Sequence, residues 1–234
     1  MRYVVVLICL VAALAGCQKP QPVYKSRYAP LLSDRPYVIA VLGDSTGALP
    51  GAWTYLLSRG IADAYNRTVT VHNWSIETNS YTETQTFGSG APVTVWNGSA
   101  RGKSAQYSLK WLPQMAPEPA DLTIINHTHN NPWHAVEGIS QLVDSAYRNT
   151  RGGAVAVMLQ NPRTDDGERA EMEQQVIDRL RTIYSAPESR AVVVDVNTAF
   201  KGGDLSVLLK PDGAHPSEKG SRLWADTLVS TLGL

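Results

Sequence analysis

Two short blocks near opposite ends of the chain hold the residue types of acyl-transfer chemistry. Gly43-Asp44-Ser45-Thr46-Gly47 is one, and Asp212-Gly213-Ala214-His215-Pro216 is the other. A serine hydroxyl is a poor nucleophile until a base takes its proton, and the base needs an acid partner to fix its tautomer. Ser45, His215 and Asp212 are those three types, and an Asp and a His three residues apart can face each other on a single loop. Taken singly, Gly-Asp-Ser reads as a turn and Asp-x-x-His before proline as a helix cap. Both blocks in one chain point to catalysis. A second cluster, His127, His129 and His134, includes an H-x-H at a strand end, a pattern that can bind zinc. Glu137 and Asp121 are the carboxylates that would join it in a metal-dependent hydrolase.

Groups so distant in sequence need a scaffold to bring them together. Short apolar runs at residues 37–42 (YVIAVL), 69–73 (VTVHN), 121–126 (DLTIIN), 153–160 (GAVAVMLQ) and 191–196 (AVVVDV) read as five strands. Helices are expected between them, one carrying Trp53, Leu56, Leu57, Ile61 and Ala64, others over residues 133–148 and 166–184. A last helix over 216–232 has Pro216 at its first position and Leu223, Trp224 and Leu228 on one face. The alternation predicts an α/β fold, a three-layer α/β/α sandwich around a mostly parallel five-stranded sheet. Ligands of such sheets bind beyond the carboxyl ends of the strands, and both chemical blocks follow strands. Residues 74–112 break the rhythm. Strands are expected at 92–96 and 105–111 around Asn97-Gly98, a hairpin signal, giving a β-hairpin insertion that borders the site. Its Trp74, Tyr81, Trp96, Tyr107 and Trp111 suit either a platform for sugar rings or the hairpin's own core.

At 234 residues, 43% hydrophobic, the chain has length for one domain with a substantial core and is too apolar for a disordered protein. The 21 basic and 21 acidic side chains balance, so no basic stripe marks a nucleic-acid partner. Cys9 and Cys17 are the only cysteines, which excludes a disulfide framework and a Cys-based zinc site. Both sit in the leading segment MRYVVVLICLVAALAGC, where Arg2 precedes an apolar run too short to span a bilayer, which takes about 20 residues. The ending Leu14-Ala15-Gly16-Cys17 resembles the bacterial lipobox. That resemblance implies that residues 1–16 are a lipoprotein signal peptide, with cleavage before Cys17 and lipid attached to it. Residues 17–35, rich in proline, then read as the lipidated cysteine and a tether. The expected location is a membrane-anchored lipoprotein of the bacterial cell envelope, with residues 36–234 as its domain.

From Tyr37 to the C-terminus the chain resembles the SGNH/GDSL hydrolases, lipases and esterases with a nucleophile in an N-terminal Gly-Asp-Ser block and a C-terminal Asp-x-x-His block. The resemblance implies their flavodoxin-like fold, Ser45 as nucleophile, His215 as base and Asp212 as orienting acid. It also implies an ester substrate, with no cofactor and no metal. The family's oxyanion donors, besides the nucleophile's own N–H at Ser45, are an Asn after the third strand and a Gly after the second. Asn130, in Thr128-His129-Asn130-Asn131, matches the first of these where the family has Gly-x-Asn-Asp. For the second, the family's Asn-x-Gly-x-x-Gly pattern falls on Asn73-Trp74-Ser75-Ile76-Glu77-Thr78, which puts Thr78 at the donor position. Gly43–Gly47 also spells Gly-x-Ser-x-Gly, but one strand precedes it and Asp212 and His215 share a loop, unlike an α/β-hydrolase. The expected reaction is hydrolysis of carboxylic esters, O-acyl groups of envelope glycans or lipids among them. The rival from another class is a non-catalytic glycan-binding lipoprotein on the same scaffold.

Overall fold

The computed structural model describes Leu31 and residues 33–234, so the signal segment, Cys17 and most of the tether lie outside the described residues. Seven strands form one sheet: β1 (Tyr37–Gly43), β2 (Arg67–Ser75), β3 (Ser80–Phe87), β4 (Ala91–Ser99), β5 (Ala120–Asn126), β6 (Thr150–Leu159) and β7 (Val192–Asp195). Their spatial order is β3-β2-β4-β1-β5-β6-β7, and every pairing is parallel except β2 with β3. This is the expected mostly parallel α/β/α sandwich, with two strands more than the five expected.

Every residue of β1 is buried, as a central strand covered on both faces requires. Tyr37, Ile39 and Val41 pack with α1 (Trp53–Tyr65) and the C-terminal helix, in a core where Trp53 stacks on Trp224 at 6.1 Å. Leu42, on the opposite face, joins the core built by α2 (Ala105–Lys110), α3 (Ala135–Arg148) and α4 (Gly167–Tyr184). A short helix α5 (Val196–Lys201) follows β7, and α6 (Glu218–Leu232) closes the chain. Ser217 caps α6 by accepting from the Gly220 N–H, so Pro216 stands before the cap and not at the first helical position. A serine hydroxyl satisfies an open helical N–H, and Pro216 instead bridges to Leu209. No helix among the described residues is long and apolar enough to cross a membrane.

The region 74–112 is not the expected insertion. Residues 92–96 belong to β4, which lies inside the sheet between β2 and β1, and residues 105–110 form α2 and not a strand. Asn97-Gly98 pairs in register with Val41 and Leu42, so parallel ladders override the local turn preference. The hairpin that does exist joins β2 to β3 through residues 76–79 and forms the sheet's edge. Trp74, Tyr81, Trp96, Tyr107 and Trp111 pack inward beside it. The Trp74 indole N–H donates to the Tyr107 hydroxyl (3.1 Å), Tyr81 donates to the Met115 carbonyl (2.6 Å), and Trp96 stacks on His72.

At the amino ends of the strands, buried Arg67 gathers the chain that leads into β1. Its guanidinium donates to the carbonyls of Leu31, Ser33 and Arg35, and to those of Ala91 and Pro92 at the start of β4. Asp121 adds to this by accepting from the Arg35 side chain and the Val38 N–H, both at 2.9 Å.

Candidate active site

Ser45 opens a single 3-10 turn, Ser45–Gly47, directly after β1. Asp44 caps that turn from a fully buried position, accepting at Oδ1 from the Thr46 N–H (3.0 Å) and the Thr46 hydroxyl (2.8 Å). The Gly47 carbonyl accepts from Thr54 Oγ1 (2.7 Å) and Asn97 Nδ2 (3.2 Å), so α1 and β4 hold the far end of the turn. Asp44 therefore fixes the backbone beneath the nucleophile candidate, in keeping with a structural role.

The C-terminal block comes to the same place. His215 Nε2 lies 2.8 Å from Ser45 Oγ, and His215 Nδ1 lies 2.9 Å from Asp212 Oδ2. An ionised Asp212 only accepts, so Nδ1 carries the proton and donates to it, and Nε2 is left to accept from the serine hydroxyl. Asp212 Oδ1 also accepts from the N–H groups of Ala214 (3.0 Å) and His215 (2.9 Å). Partial burial works against the charge of Asp212. The amides of His215 and Ala214 and the His215 ring outweigh it and hold the carboxyl at about 2. Both side chains remain substantially exposed, 37% for His215 and 49% for Asp212.

The segment after β6 braces this loop. Asn161 Nδ2 donates to the Ala214 carbonyl (2.9 Å), and the Thr164 N–H donates to the Gly213 carbonyl (2.8 Å). Gly213 adopts φ +66°, and a Cβ there would stand 2.7 Å from Thr164 Oγ1, so only glycine suits the turn that lets Asp212 and His215 face one another. An open cleft of about 370 Å³, lined by Ser45, Leu49, Leu56, Lys210, His215 and Glu218 among others, adjoins the pair.

The expected oxyanion set needs one correction. Thr78 is exposed in the β2–β3 turn, and its N–H is directed to Ser75 Oγ at 3.4 Å. The strand beside β1 is β4, not β2, with Gly43 opposite Ser99. The chain leaving β4 thus runs next to the Ser45 turn, where the Ala100 N–H donates to the Gly43 carbonyl (2.9 Å). Asn97-Gly98-Ser99-Ala100-Arg101-Gly102 fits Asn-x-Gly-x-x-Gly at its first and last positions, with Ser99 at the middle glycine. Gly102, at φ +68°, stands at the last position of that pattern, which the sequence alone had put on Thr78. Its spacing from Asn97 was visible in the sequence, but Asn97-Gly98 read as a hairpin turn concealed it.

Asn130 lies after β5 and donates through Nδ2 to the carbonyl of Lys103, the neighbour of Gly102. A carboxamide has two such hydrogens, so the other is available to a substrate oxygen. The chain leaving β4 and the chain leaving β5 therefore meet beside the nucleophile turn.

The three histidines do not converge. His127 bonds through Nε2 to the buried hydroxyl of Ser108 (2.8 Å), His129 Nδ1 donates to Glu173 (2.8 Å), and His134 is exposed on the surface. Among the described residues, no group of three or more His, Cys, Asp or Glu side chains is arranged to hold a metal. Burial opposes a charge on His129, but Glu173 holds its pKa above the usual histidine range, and Arg163 bonds the same carboxylate at 3.0 Å. His127 is driven the other way. Burial pushes it down to about 4, against the attraction of Asp44.

A family model described as GDSL-like lipase/acylhydrolase matches residues 39–228. Among curated proteins, none matches the chain. Several solved structures share the fold at low identity. A two-domain esterase active on acetylated mannans has a TM-score of 0.63 and 17% identity, covering 89% of this chain and 52% of its own. An acetylxylan esterase from Geobacillus stearothermophilus has a TM-score of 0.58 and 15% identity, covering 85% and 94%. A member of the lipolytic G-D-S-L family from Veillonella parvula has a TM-score of 0.58 and 16% identity, covering 84% and 97%.

Proposed function

This chain belongs to the GDSL-like lipase/acylhydrolase family, and from that membership we propose that it is a serine esterase with Ser45 as its nucleophile. The observation that carries the reading is the hydrogen-bonded chain from Ser45 Oγ through the His215 ring to Asp212, at 2.8 and 2.9 Å. In the proposed reaction His215 takes the Ser45 proton as the oxygen attacks the ester carbonyl. The alcohol leaves with that proton, and an acyl-serine remains. His215 then activates a water, which releases the acid and restores Ser45. The N–H groups of Ser45 and Gly102 and the Asn130 carboxamide receive the oxyanion, each worth about 2.7–4 kcal/mol in comparable sites.

The substrate we propose is an O-acyl group carried by a bulky alcohol, a glycan or glycolipid of the cell envelope. The half-exposed His215 and Asp212 and the open cleft leave room for a large alcohol, and Trp133 on the Asn130 loop is 67% exposed, available to stack on a sugar ring. Two structural neighbours are esterases of acetylated mannan and acetylxylan. We propose further that Cys17 is lipidated and anchors the domain to a membrane of the envelope. Intact Ser45, His215 and Asp212 favour catalysis over a purely glycan-binding role.

The test compares p-nitrophenyl acetate hydrolysis and acetate release from isolated cell envelope by protein lacking residues 1–17, with and without Ser45→Ala. Hydrolysis by the unsubstituted protein alone supports the reading, and equal background rates overturn it. For the anchor, Cys17→Ser is expected to move the protein from the membrane to the soluble fraction.

A further inference from the structure

One fully buried polar side chain near the site has no part in the reaction just described. Gln160 follows β6, is fully buried, and is pinned through its own carbonyl by Asn197 Nδ2 at 3.1 Å. Its carboxamide spans two loops. On one side Oε1 accepts from the Thr128 N–H, the Thr128 hydroxyl (2.7 Å) and the His129 N–H (2.8 Å), in the loop after β5 that carries Asn130. On the other side Nε2 donates to Asp44 Oδ2 (3.0 Å) and to Thr46 Oγ1 (3.3 Å), in the turn that carries Ser45. Thr46 Oγ1 accepts in addition from Asn126 Nδ2 at 2.8 Å, so β5 closes the network from its own end.

The orientation of this carboxamide is dictated by its partners. Turned over, its oxygen would face the Asp44 carboxylate and its NH₂ would face three donors. A carboxamide offers acceptor and donor on one neutral planar group. A carboxylate in its place offers two acceptors and sets a second negative charge against Asp44, and an apolar chain leaves several buried polar groups unpaired. Of titratable residues, the bridge bonds the Asp44 carboxylate and the His129 N–H, and Asp44 acts in turn on the His127 and His129 rings.

We propose that Gln160 is a positioning residue that fixes the Ser45 turn and the Asn130 loop relative to each other, and so sets the nucleophile-to-oxyanion-donor geometry without touching substrate. The inference rests on the esterase reading above. Misplacement of reacting groups by about an ångström costs on the order of 10²-fold in rate, and the loss belongs in kcat because Gln160 does not face the cleft.

Two variants test it, with hydrolysis of p-nitrophenyl acetate and covalent labelling of Ser45 by a fluorophosphonate as readouts. Gln160→Met keeps the volume and removes the bridge. It is expected to lower kcat and the labelling rate by about 10²-fold with KM within about twofold. Gln160→Glu keeps the acceptor side and needs one shared proton to satisfy Asp44. Its kcat is expected to fall as pH rises through a new ionisation that neither the unsubstituted enzyme nor Gln160→Met shows. This second variant decides the matter if Gln160→Met does not fold. Wild-type kcat and labelling in both folded variants overturns the inference, as does a rise in KM with kcat unchanged or the lack of a new ionisation in Gln160→Glu. Absence of both hydrolysis and labelling in the unsubstituted protein overturns the esterase reading itself, and this inference with it.

Discussion

The two sides of the candidate site are built in opposite ways. Around Ser45 the frame is dry: Asp44, Thr46, Asn126, Thr128 and Gln160 are all buried and joined by hydrogen bonds. Across the cleft His215 and Asp212 stand half in water, on a single loop whose own amides carry much of the Asp212 charge. The difference follows from what each side must do. Dipoles that receive a developing oxyanion act most strongly when fixed in advance, and the buried frame fixes the turn and the loop that carry Ser45 and Asn130. An acid that orients a histidine needs only to remain ionised and in place, and Asp212, held at about 2, is a carboxylate at any pH where a histidine titrates. The buried side thus depends on contacts from four strands, and the exposed side on one turn braced by Asn161 and Thr164.

The contrast can be broken at several points, with effects that should descend in order. Ser45→Ala and His215→Ala remove the chemistry that both sides serve, and each is expected to lower kcat by about 10⁴-fold or more in ester hydrolysis with the melting curve unchanged. Gly102→Val acts on the oxyanion donor proposed above, at an exposed turn on the rim of the dry side. The position is open, with no heavy atom near an added Cβ, so the substitution acts through its φ of +68° and not through a clash. It should reduce kcat by about 10²–10³-fold, with KM nearly constant.

The third effect is on stability. His127 has a folded pKa of about 4, below the value of about 6.5 for an unfolded histidine, so between these the unfolded chain binds more protons. The stability linked to His127 is present above about pH 6.5 and is lost as pH falls towards 4, on the order of 3 kcal/mol in total. Urea melts at pH 7 and pH 5 should show less acid destabilisation in His127→Gln, which keeps an acceptor for Ser108 and does not titrate. The smallest effect falls on the wet side. In Asp212→Asn the ring is exposed enough for water to take the lost bond, and kcat should drop by about 10-fold. A drop as large as that of Ser45→Ala would erase the contrast between the two sides.

Five strands, their helices and the blocks around Ser45 and His215 were legible because they depend on short-range pattern. Apolar runs such as 37–42 and 153–160 are short and contain β-branched residues, which favours buried strands of a covered sheet over helices. The parts that escaped depend on long-range order. Strand β3 (SYTETQTF) has no apolar alternation to announce it, since it lies at the edge and is largely exposed. Helix α2 is six residues long, too short for a helical period to stand out in AQYSLK, and it is held by packing with α3. The Thr78 assignment failed for the same reason. Which strand lies beside β1 is a property of the sheet and not of any segment, and once β4 takes that place Gly102 follows directly. The bridge made by Gln160 is likewise invisible in sequence, because its partners are 31 to 116 residues away.

The Arg67 clamp gives the molecule a polarity. It secures Leu31, Ser33 and Arg35 at the amino ends of the strands, while Ser45, Asn130 and His215 all stand beyond the carboxyl ends. The chain therefore enters the domain at its base, with the cleft at the crown. Under the lipidation proposed for Cys17, the pull of the membrane would fall on this base, at the end of the sheet away from the cleft.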